Sequence, residues 1–171
     1  MEEQWTDAIK EAYNMAPMGI IIHPTLELRH ESWVTPVRIV CDTVDLSAKI
    51  EDSGYQGGTT QTFMACAFEV IPPESSDKLP EITISIDNVS HIISEQIDVA
   101  MTVRAPIEIT YREYLNTDPL SGPHYVLNRL TIRRITVNEK NITGTATFGD
   151  FINRAFPRQL FNTTEFPGLM R

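Results

Sequence analysis

The sequence predicts a mainly β domain of the α+β type: an antiparallel β-barrel or sandwich with two short helices and an extended C-terminal arm. About eight segments alternate apolar and polar residues at spacings of about 8 to 15 residues, which is typical of small β-domains. Gly, Pro, Asn and Asp stand between these segments as turn formers. The 171 residues, 42% of them hydrophobic, are enough for one packed core without a disulfide or a metal.

The first predicted element is a helix over residues 3–15, where apolar residues recur at helical spacing. Thr6 or Asp7 is suited to cap its N-terminus, since the oxygen of either side chain accepts hydrogen bonds from free backbone N–H groups. Pro17 and Gly19 end the helix.

Strands follow, with Pro24 expected to interrupt the first apolar stretch. The loop over residues 53–59 contains Gly57 and Gly58, but no Lys–Ser/Thr pair follows, so a nucleotide-binding loop is not expected. The carboxylates of Glu51 and Asp52 are expected on the solvated surface. The predicted strands of this half are residues 25–30, 37–41, 44–50, 62–71 and 81–86.

In the second half, Asp87 and Asn88 break a strand and are suited to cap a short helix that follows. Residues 99–114 carry two alternating stretches around Pro106. Residues 127–137 and 141–148 predict a hairpin with a short turn between them. Residues 1–150 are therefore expected to form one domain.

Residues 151–171 are predicted to form a separate arm, because four of the seven phenylalanines stand there at intervals of five, between prolines that disrupt regular structure. An aromatic segment needs an apolar surface to cover it. Two alternatives stay open: the arm packs on its own domain, or it packs on a neighbouring subunit. The predicted contact residues of the arm are Phe156, Pro157, Phe161, Phe166, Pro167, Gly168 and Leu169.

The composition excludes several classes of partner. Lys and Arg total 14 against 23 Asp and Glu, a net charge of −9, so tight nucleic-acid binding is not expected. The longest apolar stretches are far shorter than a bilayer span, and the acidic N-terminus does not resemble a secretory signal. Synthesis in a reducing cytoplasm is expected, with Cys41 and Cys66 as small apolar residues of the interior.

Catalytic and metal-binding motifs are missing from the sequence. It contains no GxSxG, HExxH, Walker A or dinucleotide-binding pattern, and its four histidines share no ligand spacing. The two cysteines do not form a CxxC pair, and no cofactor is predicted. The protein is therefore expected not to be an enzyme, with a thiol hydrolase built on Cys41 or Cys66 as the remaining enzymatic alternative.

Several stretches together resemble a known family. They are residues 25–30 (TLELRH), 36–42 (PVRIVCD), 84–89 (ISIDNV), 156–158 (FPR) and 166–169 (FPGL), and the opening stretch 11–17 (EAYNMAP) fits as well. In this order they are similar to a family of tailed-bacteriophage proteins of unknown function, and more distantly to lambda-like minor tail proteins of the tail tip or baseplate hub. The sequence departs from that pattern at Asn162–Thr164.

The resemblance implies a structural virion protein that joins the distal tail tube to the tip. It implies a location in the tail tip, after synthesis in the bacterial host, and a homo-oligomeric ring, trimeric or hexameric, that contacts the tail tube and the hub. It also makes the Asp87–Asn88 turn a structural corner. The competing interpretations are a small-molecule or carbohydrate-binding β-domain and a tail-associated cell-wall hydrolase.

Overall fold

The computed structural model describes residues 6–15, 19–71, 81–87, 92–103, 105–138 and 140–148. Its elements are α1 (Asp7–Met15), β1 (Ile22–Arg29), β2 (Val37–Val40), β3 (Leu46–Lys49), β4 (Thr60–Ala65), β5 (Phe68–Ile71), β6 (Glu81–Asp87), α2 (Ile92–Met101), β7 (Glu108–Leu115), β8 (Tyr125–Val137) and β9 (Asn141–Phe148). The protein is mainly β with two short helices, so the predicted fold class is confirmed.

The nine strands form one mixed sheet in the order β3-β4-β2-β1-β7-β8-β9-β6-β5. Among these strands β2 and β4 are the one parallel pair, and every other pair is antiparallel. Only Cys66 and Ala67 separate β4 from β5. The chain therefore passes directly from the second strand at one end of the sheet to the last strand at the other end. The Cys66 N–H donates to Val40 O at 3.0 Å, and the Asp87 N–H donates to Ala67 O at 2.9 Å. The sheet therefore curls as a barrel does, although its strand order is open.

Strand β1 lies between β2 and β7 near the middle of the sheet, and its side chains alternate between two buried environments. Leu26 and Leu28 face the main core, and Glu27 lies on the opposite side with Thr25. The expectation that Pro24 interrupts the strand is wrong. Its carbonyl accepts from the N–H of Cys41 at 3.0 Å, so the missing N–H of Pro24 lies where the β1–β2 ladder ends.

Two apolar clusters hold the sheet together. The smaller one consists of Val40, Ala48, Ile50, Phe63 and Tyr114, around the β3–β4 end. The larger one lies between the sheet and α2, whose Ile93, Ile97 and Ala100 pack on strand residues. Buried members of this main core on the strands are Leu26, Leu28, Val37, Ile39, Ile82, Ile84, Ile86, Ile109, Leu130, Ile142 and Ala146.

The helix α1 begins at Asp7 rather than at residue 3, and its cap is one of the two residues that the sequence predicts. The carbonyl of Thr6 accepts from the N–H groups of Ile9 and Lys10, both at 3.2 Å, so Thr6 is the N-cap residue and Asp7 the first helical residue. The Thr6 hydroxyl bonds to His124 Nδ1 at 2.9 Å, and the Thr6 N–H donates to His124 O at 3.2 Å. This residue therefore both starts the helix and anchors it to the loop before β8.

Three boundaries differ from the expectations. The predicted strand over residues 62–71 is two strands, because the chain breaks at Cys66 and Ala67 to pass from β2 to β6. Residues 99–101 end α2 rather than forming a strand. Asp87 ends β6 opposite Asn141, whereas Asn88 and the predicted helix cap lie outside the described residues. The predicted hairpin of β8 and β9 is confirmed.

Candidate functional site

Charged side chains collect on the side of β1 and β7 that faces away from the main core. Thr25 and Glu27 of β1 lie opposite Arg112 and Thr110 of β7, and Arg29 lies opposite Glu108. Because these residues are two apart along each strand, they share one face of the sheet. Strand alternation thus produces a polar face directly behind the apolar one.

Two of these residues, Glu27 and Arg112, form a buried charge cluster together with their neighbours Arg38 and Glu51. The Arg112 Nε and Nη2 groups donate to the two Glu51 carboxylate oxygens at 2.6 and 2.9 Å, and Nη2 lies 3.6 Å from Glu27 Oε1. The Arg38 Nε donates to Glu27 Oε2 at 2.7 Å. Arg112 is 1% exposed and Glu27 is 3% exposed. The cluster is therefore an interior network of two arginines and two carboxylates.

Burial alone would lower the pKa of Arg112 by disfavouring the charged form. The hydrogen bonds to Glu51 and the charges of Glu27 and Glu51 act against that burial, and the resulting pKa is raised above the usual arginine value. The guanidinium is therefore held in its charged form. A buried charge of this kind depends on its partners, because removing one of them leaves the other charge without compensation.

The loop between β3 and β4 completes the cluster. Its Gln56 accepts from Arg38 Nη2 at 2.9 Å, and Gln61 of β4 accepts from Arg38 Nη1 at 3.2 Å. Gly54 is required for close packing: a Cβ there would lie 2.6 Å from Glu51 Oε1. Any larger residue at position 54 would displace the carboxylate that holds Arg112.

A polar cavity of about 740 Å³ opens over the charge cluster. The Arg29–Glu108 ion pair lines this cavity, and the Arg29 guanidinium lies 5.1 Å from the ring centre of Tyr55. The residues lining this polar cavity are Glu27, Arg29, Glu51, Ser53, Gly54, Tyr55, Glu108, Thr110, Arg112, Asn128, Arg129 and Thr131.

A β-bulge supplies two of the lining residues. Ile109 pairs with Leu130 and Tyr111 with Leu127, so Asn128 and Arg129 both stand opposite Thr110. Arg129 has a φ of 64°, a left-handed conformation that costs a non-glycine residue about 1 kcal/mol or more. A bulge redirects side chains, and this one brings Asn128 and Arg129 to the cavity.

Opposite charges around the polar cavity nearly balance. Glu27 is paired with Arg38, Glu51 with Arg112, and Glu108 with Arg29. Among the described residues, Arg129 has no ion-pair partner. The Nη1 atom of Arg112 has no hydrogen-bond partner among them. The lining itself therefore holds three arginines and three glutamates. Arg38, which bonds to Glu27 but does not line the cavity, adds one positive charge to this group.

A second cluster, the tyrosine cluster, consists of the buried Glu113, the partly buried Tyr111 and the half-exposed Tyr13. The two hydroxyl groups donate to Glu113 Oε1, Tyr13 at 2.9 Å and Tyr111 at 2.6 Å. Burial and the neighbouring Glu113 raise the pKa of Tyr13 to about 12 and raise that of Tyr111 as well. The neutral phenols act as donors to the carboxylate, and the cluster fastens α1 to β7.

The two cysteines are free and half-buried. Cys41 Sγ donates to Phe68 O at 3.3 Å, and Cys66 Sγ donates to Asp87 O at 3.5 Å. Burial raises the pKa of the Cys66 thiol, the opposite of the shift that activates a cysteine nucleophile. No three His, Cys, Asp or Glu side chains lie together as a metal site within the described ranges.

The charge cluster was not predicted from the sequence. Glu51 was expected on the solvated surface with Asp52, but its side chain is 17% exposed and holds Arg112. The one local signal was the polar alternation of Glu27 and Arg29 between leucines. The predicted arm residues, from Phe156 to Leu169, lie outside the described part of the chain.

Neither of the two described helices is long and apolar enough to cross a membrane.

Comparison with known proteins places the chain in a family. No curated protein matches it. Residues 8–161 match the family described as a domain of unknown function, DUF1833. The matched region contains all nine strands, α2, the charge cluster and the bulge. Because this match covers far more than half of the sequence, the chain belongs to the DUF1833 family.

Proposed function

We propose that this protein is a non-enzymatic structural component of a bacteriophage tail tip, which joins the distal tail tube to the tip through subunit contacts. The observation that carries the proposal is where the resembling stretches lie in the fold. Residues 25–30 lie on and just after β1, residues 36–42 contain β2, and residues 84–89 include the end of β6. The stretches on which the resemblance to tail proteins rests therefore lie in the framework of the sheet, and this supports a structural role.

An apolar groove of about 420 Å³ between α2 and β8 supports the idea of subunit contacts. Val103 and Val137 at the groove remain substantially exposed, 36% and 43% respectively. An apolar surface of this kind is suited to receive an aromatic segment. Residues lining the groove include Ile97, Val103, Ile107, Ile132, Ile135 and Val137.

The proposed occupant of the groove is the part of the arm over residues 156–171 in a neighbouring copy. Its contact residues would be Phe156, Pro157, Phe161, Phe166, Pro167, Gly168 and Leu169. A contact in which an arm meets a different surface of the next copy is heterologous, and it closes into a ring when the rotation between copies allows. A trimer or a hexamer in the virion, in contact with the tail tube and the hub, is the assembly proposed.

Deletion of residues 156–171 tests this function. We expect the truncated protein to keep the circular dichroism spectrum of the full chain and to lose its oligomers in light scattering. If the truncated chain fails to fold, the arm belongs to its own core and the proposed contact between subunits is wrong. A truncated chain that assembles as the full chain does would also contradict the proposal.

A point substitution provides a second, milder test. Val137→Asp places a charge in the groove at an exposed position, so we expect a folded protein with weakened assembly. Val34→Asp is the matched control, because Val34 is 95% exposed and does not line the groove. Equal assembly of the two variants would exclude the groove as the contact surface.

The second candidate function is a binding module for a small molecule or carbohydrate. The polar cavity favours it, since about 740 Å³ lies within the usual range of roughly 300 to 1,000 Å³ for ligand sites. A ligand that binds to a strictly monomeric protein would favour this alternative over tail assembly.

A further inference from the structure

Some hydrogen-bond donors at the polar cavity lack an acceptor among the described residues. Every carboxylate that lines it already has an arginine partner: Arg38 for Glu27, Arg112 for Glu51 and Arg29 for Glu108. Arg38 is in turn satisfied by Gln56 and Gln61. The charged groups at the cavity that lack a partner among the described residues are therefore cationic rather than anionic.

The first open donor is the Nη1 group of Arg112. This side chain is 1% exposed and lines the cavity, and its Nη1 lacks a hydrogen-bond partner in the described part of the chain. Buried donors in folded proteins are nearly always paired, and a charged donor has the greatest need of an acceptor. Glu51 engages the other two nitrogens of the same guanidinium, so Arg112 is held in place with one nitrogen free.

The second open donor is Arg129. It lacks an ion-pair partner among the residues described, and it stands on the bulge of β8 in a left-handed conformation. Backbone strain of this kind is most often found where a site requires it. The strained position places Arg129 beside the same cavity that Arg112 lines.

We propose that the polar cavity binds a ligand through a single carboxylate group, which accepts hydrogen bonds from Arg112 Nη1 and from the Arg129 guanidinium. Three arginines and three glutamates line the cavity, and Arg38 beside Glu27 adds one positive charge, which one carboxylate neutralises. A doubly charged group such as sulfate would overcompensate that charge and leave one negative charge unbalanced beside the three glutamates. The inference goes beyond tail assembly, because it concerns a different surface and holds for a monomer as well.

The remaining lining indicates a polar ligand. Thr110, Asn128 and Thr131 offer hydroxyl and amide groups to the cavity, whose volume far exceeds that of a carboxylate alone. The carboxylate can be carried by a small acid, such as a sugar acid, or by an acidic side chain of a second copy of this chain. Both sources share the same chemistry at the two arginines.

Calorimetric titration of the full-length protein tests the site, with acetate, glucuronate and sulfate as probes at constant ionic strength. We expect saturable binding of both carboxylates and weaker binding of sulfate. Glucuronate binding more tightly than acetate would indicate a small acid as the natural ligand. Acetate that dissociates oligomers in light scattering would indicate a side chain of a second copy. A protein that binds neither carboxylate, or that binds sulfate more tightly, would overturn the proposal.

Matched variants separate the site from general charge effects. Arg129→Gln removes one charged hydrogen bond, so we expect carboxylate affinity to fall by about 10- to 100-fold. Arg134→Gln removes the same charge from an exposed position of the same strand, outside the cavity, and we expect affinity to stay unchanged. Arg129→Lys keeps the charge and should retain part of the affinity. Equal weakening by Arg129→Gln and Arg134→Gln would overturn the assignment.

Discussion

The charge cluster and the tyrosine cluster bury carboxylates on the same sheet in opposite ways. They meet at consecutive residues of β7, Arg112 and Glu113, whose side chains point to opposite faces of the strand. In the charge cluster the carboxylates of Glu27 and Glu51 are balanced by arginines. In the tyrosine cluster two neutral hydroxyls donate to Glu113.

Among the residues that the structure describes, the atoms without a hydrogen-bond partner also differ between the two clusters. The charge cluster leaves a donor, Arg112 Nη1, and lies under an open cavity. The tyrosine cluster leaves an acceptor, Glu113 Oε2, beneath α1. One strand therefore serves two purposes: its cationic face is suited to bind a ligand, and its other face secures the N-terminal helix.

The largest effect is expected from Glu27→Ala. It leaves Arg38 and part of Arg112 as buried charges without compensation, which costs about 3–5 kcal/mol of unfolding free energy. Denaturant unfolding of the variant measures the loss. Glu31→Ala, at an exposed position just after β1, is the control and should stay within about 0.5 kcal/mol of the parent. Equal stability of the two variants would show that the charge cluster is not an integrated network.

Glu113→Leu should cost less, about 1–3 kcal/mol, because it removes the acceptor of the partly buried Tyr111 hydroxyl but leaves no uncompensated charge. The melting temperature followed by circular dichroism measures the change. Glu113→Gln keeps an acceptor oxygen and should recover much of the loss. A Glu113→Leu variant that is less stable than Glu27→Ala would reverse the proposed ranking of the two clusters.

The pH dependence tests the tyrosine cluster separately. The pKa of Tyr13 rises from its ordinary value of 10.0 to about 12 in the folded protein. The resulting stability is present below pH 10 and is lost as the pH rises from 10 to about 12. We expect Tyr13→Phe to show a smaller loss across this window in unfolding experiments. An alkaline transition that is the same in both proteins would exclude Tyr13 as its source.

The smallest expected change in stability concerns the bulge, and it is a gain rather than a loss. Arg129→Gly relieves the left-handed strain, so we expect a gain in stability of up to about 1 kcal/mol together with lost carboxylate affinity. Arg134→Gly, at a position without positive φ, should lose about 0.5–1 kcal/mol. Thermal unfolding compares the two. Destabilisation of both variants to the same extent would show that the conformation of Arg129 carries no strain.

Local sequence patterns predicted the local elements well. The alternation around Leu26 and Leu28 predicted β1, and the turn at Asn138 predicted the β8–β9 hairpin. These predictions depend on neighbours in sequence. The charge cluster depends on pairing between distant segments: Arg112 reaches Glu51 across 61 positions, and the strand order that joins them cannot be deduced from alternation alone. The break at Cys66 also depends on distant segments, because the chain pairs with β2 before the break and with β6 after it.

The mass of the full-length protein in solution tests the proposed function most directly. Light scattering across a concentration series distinguishes a closed ring from a monomer, and the arm deletion provides the comparison. Subunit assembly predicts the mass of a trimer or a hexamer for the full chain, and the mass of a monomer for the chain that ends at residue 155. A strict monomer at every concentration would contradict self-assembly of this chain into a ring.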